Sequence, residues 1–225
     1  MRIAVLSDIH SNAFALEAVL DDVRLADVDE LWLAGDTFGY YPWAAETFAL
    51  IAEARPVSVL GNHDNWVLDG ASAPRDVTGE IARRNRHELP GAALEWLASL
   101  QPLRELERGQ LRITIAHGTP DDPLEGRYYP DDNGTPPWPP AADEVLILGQ
   151  THYPLLRGDR SRGLVLNPGS VGQPRDGTPM SSWALLDIAT ANAELRRVAY
   201  DHVAAMERLR ALRWDQRITA ALDKH

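Results

Sequence analysis

The chain has 225 residues and a mass of 24.9 kDa, enough for one well-buried domain over 1–225, and its 44% hydrophobic and 24% charged content is that of an ordinary globular protein. A formal net charge of −11 and a pI near 5.0 argue against long nucleic acid and anionic membrane surfaces as partners, because both need clustered Lys and Arg; a small anionic substrate drawn in by bound cations is still allowed. There are no cysteines, so disulfides and thiolate metal sites are excluded, and any metal ligands must be oxygen and nitrogen donors.

In chain order, a strand predicted at 3–7 leads into a helix over 13–25, where Leu16, Val19, Leu20 and Val23 recur at helical spacing, and then into a strand at 31–34. The first apolar run is interrupted by Ser7, Asp8 and His10, too early for the core of a signal peptide, and no stretch approaches a membrane span. Cytoplasmic residence is expected. A helix over about 43–54 and a strand at 57–60 repeat the unit, which favours right-handed crossovers in a mostly parallel sheet. Two further helices are predicted at 78–85 and 91–100, the second led by Pro90. A strand at 111–115 follows. The pattern then dissolves over 119–143, a proline-rich segment holding Tyr128, Tyr129 and Trp138, expected to be a lid over the site. Strands are predicted at 145–148, 164–166, 183–187 and 194–199. The tail over 200–225 carries Val203, Met206, Leu209, Ile218 and Leu222 near one helical stripe and is expected to dock on the domain.

One apolar run after another ends in residue types that ligate metals: Asp8 and His10, Asp36 after Gly35, Asn62, His63 and Asp64 after Gly61, His117, then Gln150 and His152 after Gly149. Open α/β sheets build their sites where strands end. Asp8 and His10 stand two apart at such an end, and strand alternation would send both side chains to one side. Gly35 and Gly61 would allow the sharp exits that turn the next residues inward.

As an ordered set these motifs resemble the calcineurin-like metallophosphoesterase family, whose pattern runs Asp-x-His, Gly-Asp, Gly-Asn-His-Asp/Glu, His and Gly-His-x-His. The resemblance implies a metallophosphoesterase-like α/β/β/α sandwich, with two mixed sheets flanked by helices. It also implies two divalent metal ions, Mn first, with Fe, Zn, Co or Mg as alternatives. By the same resemblance Asp8, His10, Asp36 and His152 hold the first metal, and Asp36 bridges to a second held by Asn62, His117 and the residue at 150. His63 would protonate the leaving oxygen or stabilise the transition state, with Asp64 orienting it. This chain has Gln150 where the family has a histidine; its amide is expected either to ligate a hard cation or to hydrogen-bond a metal-bound water.

The turn-rich stretch from Asn167 to Arg175 looks like the small, single-domain phosphodiesterase branch, including diadenosine-tetraphosphatase-like proteins. Arg175 and Asn12 are candidate phosphate contacts against a plain capping role, and Tyr40 and Tyr41 either stack on a base or aryl group or pack. His87, His202 and His225 are expected to be solvated. The function expected is metal-dependent hydrolysis of a small phosphodiester or nucleotide pyrophosphate. A phosphomonoesterase, or a nucleotide- or partner-binding protein with a weakened second metal site, is the alternative.

Overall fold

A computed structural model describes residues 1–132, 136, 138–220 and 222. The predicted βαβαβ start is present as β1 (Arg2–Leu6), α1 (Ala13–Leu25), β2 (Glu30–Leu33), α2 (Ala44–Ala54) and β3 (Val57–Ser58). The pleat of β1 sends Ile3 and Val5 into one apolar cluster and Ala4 and Leu6 into another. The second cluster receives Leu16, Val19, Leu20 and Val23 of α1, together with Ile51 of α2, so both helices cover that face of the sheet.

Three helices follow, α3 (Asn62–Leu68), α4 (Val77–Glu88) and α5 (Gly91–Ser99), then β4 (Leu103–Arg108), β5 (Leu111–Ala116), β6 (Glu144–Ile147), β7 (Pro154–Asp159), β8 (Gly163–Pro168), β9 (Ser181–Asp187), β10 (Asn192–Val198), α6 (His202–Ala211) and α7 (Gln216–Thr219). They complete two five-stranded sheets, in the orders β10-β9-β1-β2-β3 and β4-β5-β6-β8-β7. Ile3, Val5, Trp32, Ile113, Ile115, Val145, Ile147 and Leu166 fill the space between the sheets. This is the sandwich of mixed sheets with flanking helices that the resemblance implies.

The expectation of a mostly parallel sheet is corrected. β1, β2 and β3 run parallel, as do β5, β6 and β8, but β4, β7, β9 and β10 all pair antiparallel. For β4, β7 and β10 the cause is short connections: Arg108 pairs with Leu111, Asp159 with Gly163 and Asp187 with Asn192, across turns far too short for a parallel crossover. Sequence periodicity missed β4 and β7 because both are edge strands with mostly exposed or half-buried side chains, and α3 because it is a single short stretch begun inside a motif.

Two segments differ from expectation. The tail is not one helix: Arg213 adopts φ +50° and separates α6 from α7, turning Trp214 inward against Tyr41, Trp43 and Met206. In the 119–143 loop, Tyr128 and Trp138 pack on the outer face of the second sheet against Leu146, Leu148 and Val165. Positions 133–135 and 137 of that loop, and 221 and 223–225 of the tail with His225, lie outside the described residues. Among the described residues no helix is long and apolar enough to cross a membrane.

Candidate metal centre

The chain leaves β1, β2 and β6 through sharp turns. Asp8, His10, Ser11, Asp36, Gln150 and His152 all have φ between +52° and +66°, a left-handed conformation that costs a non-glycine residue about 1–3 kcal/mol and persists only where its surroundings enforce it. Here the backbone is pinned by Asp8 N to Gly35 O (3.1 Å), His10 N to Asp36 O (3.0 Å) and Ser11 N to Thr37 O (2.9 Å). The expectation that strand alternation aligns Asp8 with His10 is therefore corrected: β1 has already ended, and consecutive turn residues bring them together. Gly35 does take a left-handed exit (φ +86°), whereas Gly61 is extended and is required for space, since a Cβ there would stand 2.1 Å from Asp36 Oδ1.

The turns gather the motif residues around one buried centre. Asp8 Oδ1 lies 3.2 Å from His152 Nε2 and 3.6 Å from His10 Nε2. Asp36 Oδ2 lies 3.6 Å from His10 Nε2 and 3.3 Å from His117 Nε2, midway between a histidine after β1 and one after β5. Candidate ligand atoms of Asp8, His10 and His152, of Asp8, Asp36 and His117, and of His10, Asp36 and His63 fall within 4.8 Å of one another in each group.

The donor set fits divalent cations. Asp8 Oδ1 and Oδ2, Asp36 Oδ2, Asn62 Oδ1 and His117 Nε2 are buried with no hydrogen-bond partner, and each such group left dry costs about 1–3 kcal/mol, more when charged. His117 Nδ1 is 2.8 Å from the Ala34 carbonyl and His152 Nδ1 is 2.6 Å from that of Gln173. In its neutral form each ring would carry its proton on Nδ1, and the Nε2 facing the carboxylates would be the atom free to ligate.

Electrostatics agree with a site built for positive charge. Burial by itself would raise Asp8, but His152 and His10 outweigh it and hold its carboxyl well below the usual carboxylate range. Asp36 is held down in the same way, burial being outweighed by His117 and His63. Burial pushes His63 down to about 3 and His152 down to about 4, so both rings are neutral near pH 7. For His117 burial is outweighed by Asp36 and Asp8, which hold it up at about 10. A proton on that ring occupies the electrostatic role a cation would fill.

The remaining predicted residues divide. His63 is buried on α3; its backbone N–H donates to Asp36 Oδ1 (2.9 Å), and its ring lies against Tyr40 (4.6 Å between centroids) and Trp66 (4.4 Å). Asp64 does not orient it. The Asp64 carboxylate accepts from the backbone N–H groups of Thr37, Phe38 and Gly61, which fixes the Asp36 turn to the start of α3. Asn12 is likewise corrected as a phosphate contact: it is buried, its Oδ1 caps α1 at Ala15 N, and its Nδ2 donates to Gly172 O at 2.9 Å. Arg175 is exposed beside the centre, donating to Tyr40 Oη (3.2 Å) and Gln173 Oε1 (3.3 Å). Gln150 sits between His117 and His152 in the chain order of the motifs, and its Nε2 donates to the Leu124 carbonyl at 2.9 Å.

Sequence reasoning missed Glu125, which accepts from Asn62 Nδ2 at 3.3 Å, because nothing in a proline-rich loop marks one acidic residue above others. It also missed Asn85 on α4, whose side chain accepts from Ser11 Oγ and Gly39 N and donates to Tyr41 O. A lone Asn in an amphipathic helix carries no signal for such a role.

A family model of the calcineurin-like phosphoesterase superfamily domain matches residues 1–191. The chain is 31% identical to an uncharacterized protein of Methanocaldococcus jannaschii, over 92% of this chain and 91% of that one. It is similar to the crystal structure of a metallophosphoesterase from Sphaerobacter thermophilus, at 27% identity and a TM-score of 0.80, covering 100% of this chain and 98% of the other. The fold is shared with a hypothetical protein from Pyrococcus horikoshii, at 21% identity and a TM-score of 0.84, over 98% of this chain and 97% of that one.

Proposed function

The chain belongs to the calcineurin-like phosphoesterase superfamily, hydrolases of phosphoester bonds, and from that premise we propose that it uses two divalent cations to hydrolyse a small phosphodiester or nucleotide pyrophosphate. The observation that carries the reading is the closed group of unpartnered buried acceptors on Asp8, Asp36, Asn62 and His117. Asp8, His10, Asp36 and His152 hold the first cation, and Asp36, Asn62 and His117 the second. Mn is the metal proposed, with Fe, Zn, Co or Mg as alternatives, since an oxygen and nitrogen set without sulfur suits all of them. Two cations so held would supply the charge to polarise a phosphoryl group and to make a water nucleophilic near neutral pH.

The chain's own residues do the rest. His63, neutral near pH 7 and packed beside Asp36, presents a ring N–H to the leaving oxygen. Arg175 binds the non-reacting phosphate oxygens at the mouth. Half-buried Tyr40 and Trp66 flank His63, and two aromatic faces suit an ester carrying an aryl or nucleoside group better than a bare phosphate. With a net charge of −11 the substrate is small rather than a long nucleic acid, and residence is cytoplasmic, away from membranes.

A metal-by-substrate screen of metal-stripped protein tests this. Mn-dependent hydrolysis of bis-p-nitrophenyl phosphate and of dinucleoside polyphosphates is expected to exceed that of p-nitrophenyl phosphate. Preference for the monoester would make the protein a phosphomonoesterase, and no turnover with any metal would leave a binding protein.

A further inference from the structure

The loop after His117 is fastened to the centre at two adjacent residues. Gln150 Nε2 donates to the Leu124 carbonyl (2.9 Å), and Asn62 Nδ2 donates to the Glu125 carboxylate (3.3 Å). The loop arrives there preformed: Gly118 N donates to Pro123 O (2.7 Å), Glu125 N to Asp122 Oδ1 (3.2 Å) and Gly126 N to Asp122 O (3.0 Å), while Leu124 packs against the apolar cluster that includes Phe38 and Leu60. Glu125 is therefore presented by a closed turn with an apolar anchor.

An ionised carboxylate only accepts hydrogen bonds, so Glu125 decides which end of the Asn62 amide faces it. Reversing that amide would set two acceptor oxygens about 3.3 Å apart with no proton between them. Asn62 Oδ1 is the end left over, buried and without a partner, on the residue before His63, whose backbone N–H is bound to Asp36. Gln150 has its own donor committed to the loop.

We propose that Gln150 and Glu125 are positioning residues that clasp the loop to the metal centre: Gln150 holds the Leu124 carbonyl, and Glu125, so placed, locks the Asn62 amide with its carbonyl oxygen turned to the second cation. Position 150 is then a tether, and the loop's contribution to the centre is the orientation of a ligand. The inference rests on the two-cation reading, and one arm of its test is independent of metal.

Metal-stripped protein is titrated with Mn by calorimetry, and backbone hydrogen exchange at 124–126 is followed in the metal-free state. Glu125→Leu should weaken the second Mn site by about 10- to 100-fold, the scale for removing a residue that orients a ligand, with the first site unchanged. Glu125→Gln keeps an acceptor but adds a donor that would also suit the reversed Asn62 amide, so it should fall between the parent and Glu125→Leu. Gln150→Met, similar in length but with no donor, should weaken the second site and speed exchange at 124–126 by about five- to tenfold, as expected for one lost hydrogen bond. The proposal is overturned if Glu125→Leu leaves the second site intact, or if Glu125→Gln loses as much as Glu125→Leu, which would make the charge rather than the orientation responsible. Parental exchange in Gln150→Met would refute the tether. A parent that binds no cation would remove the site reading itself, and the exchange arm would then still decide whether Gln150 fastens the loop.

Discussion

Asp36 concentrates the demands on this site. Its Oδ1 accepts from His63 N, its Oδ2 faces His10 and His117, and Gly61 is glycine because nothing larger fits against it. Asp36→Ala is expected to abolish metal-dependent turnover and cut Mn stoichiometry in a calorimetric titration, with far-UV circular dichroism unchanged, since the sheets are held by cores that do not include it. His63 separates ligation from hydrogen-bond donation to the leaving oxygen. His63→Ala should lower kcat by about two to four orders of magnitude, the usual loss when a general acid or transition-state donor is removed. Metal content by atomic spectroscopy should stay at the parental value; a parallel loss would make His63 a ligand, as its grouping with His10 and Asp36 allows. The contrast with its neighbour is instructive: Asp64 follows His63 in the chain, but the first turn of α3 points its carboxylate at three backbone N–H groups.

Among the elements, the 119–143 loop and the tail place side chains that periodicity could not. The sequence predicts that the loop covers the metal site. Its first part, at Leu124 and Glu125, does border the centre, but from Tyr128 onward the described residues turn to the outer face of the second sheet, where burying two aromatic rings against Leu146, Leu148 and Val165 is the larger gain. The tail reaches the site indirectly. Trp214 Nε1 donates to the Tyr40 carbonyl at 2.8 Å, and Arg84 stacks on the indole at 4.3 Å, so a residue beyond the family match at 1–191 fixes the turn that carries an aromatic wall of the centre. Trp214→Phe keeps the ring and loses the donor. It is expected to cost about 0.5–1.5 kcal/mol in denaturant unfolding and to raise KM for aryl and nucleoside esters while leaving Mn affinity at the parental value; an altered Mn affinity with unchanged KM would place the effect elsewhere.

For the whole molecule, a centre that buries two carboxylates and several unpaired acceptors should be held together by its cations. Ligands that bind only the folded state at about 100 times their Kd add about 2.7 kcal/mol, which in a domain of this size is about 5–10 °C in Tm. Chelation followed by calorimetry should show that loss, and Mn should restore it; an unchanged Tm would mean the acceptors are satisfied by water. The sequence by itself determined the family and the candidate donors: the ordered motifs pointed to Asp8, His10, Asp36, Asn62, His117 and His152, and apolar periodicity located α1, β2 and the inter-sheet strands, because local spacing and residue type are properties of the chain. Strand direction, the left-handed turns at Asp8 and Asp36, the diversion of Asp64 and Asn12 to backbone hydrogen bonds, and the fastening of Glu125 and Gln150 to the centre were decided only by the tertiary structure. Each of these depends on partners distant in sequence: Asn12 on Gly172, Asp64 on Phe38, Asn62 on Glu125. A hydrogen bond has no counterpart in spacing until folding brings its two ends within reach.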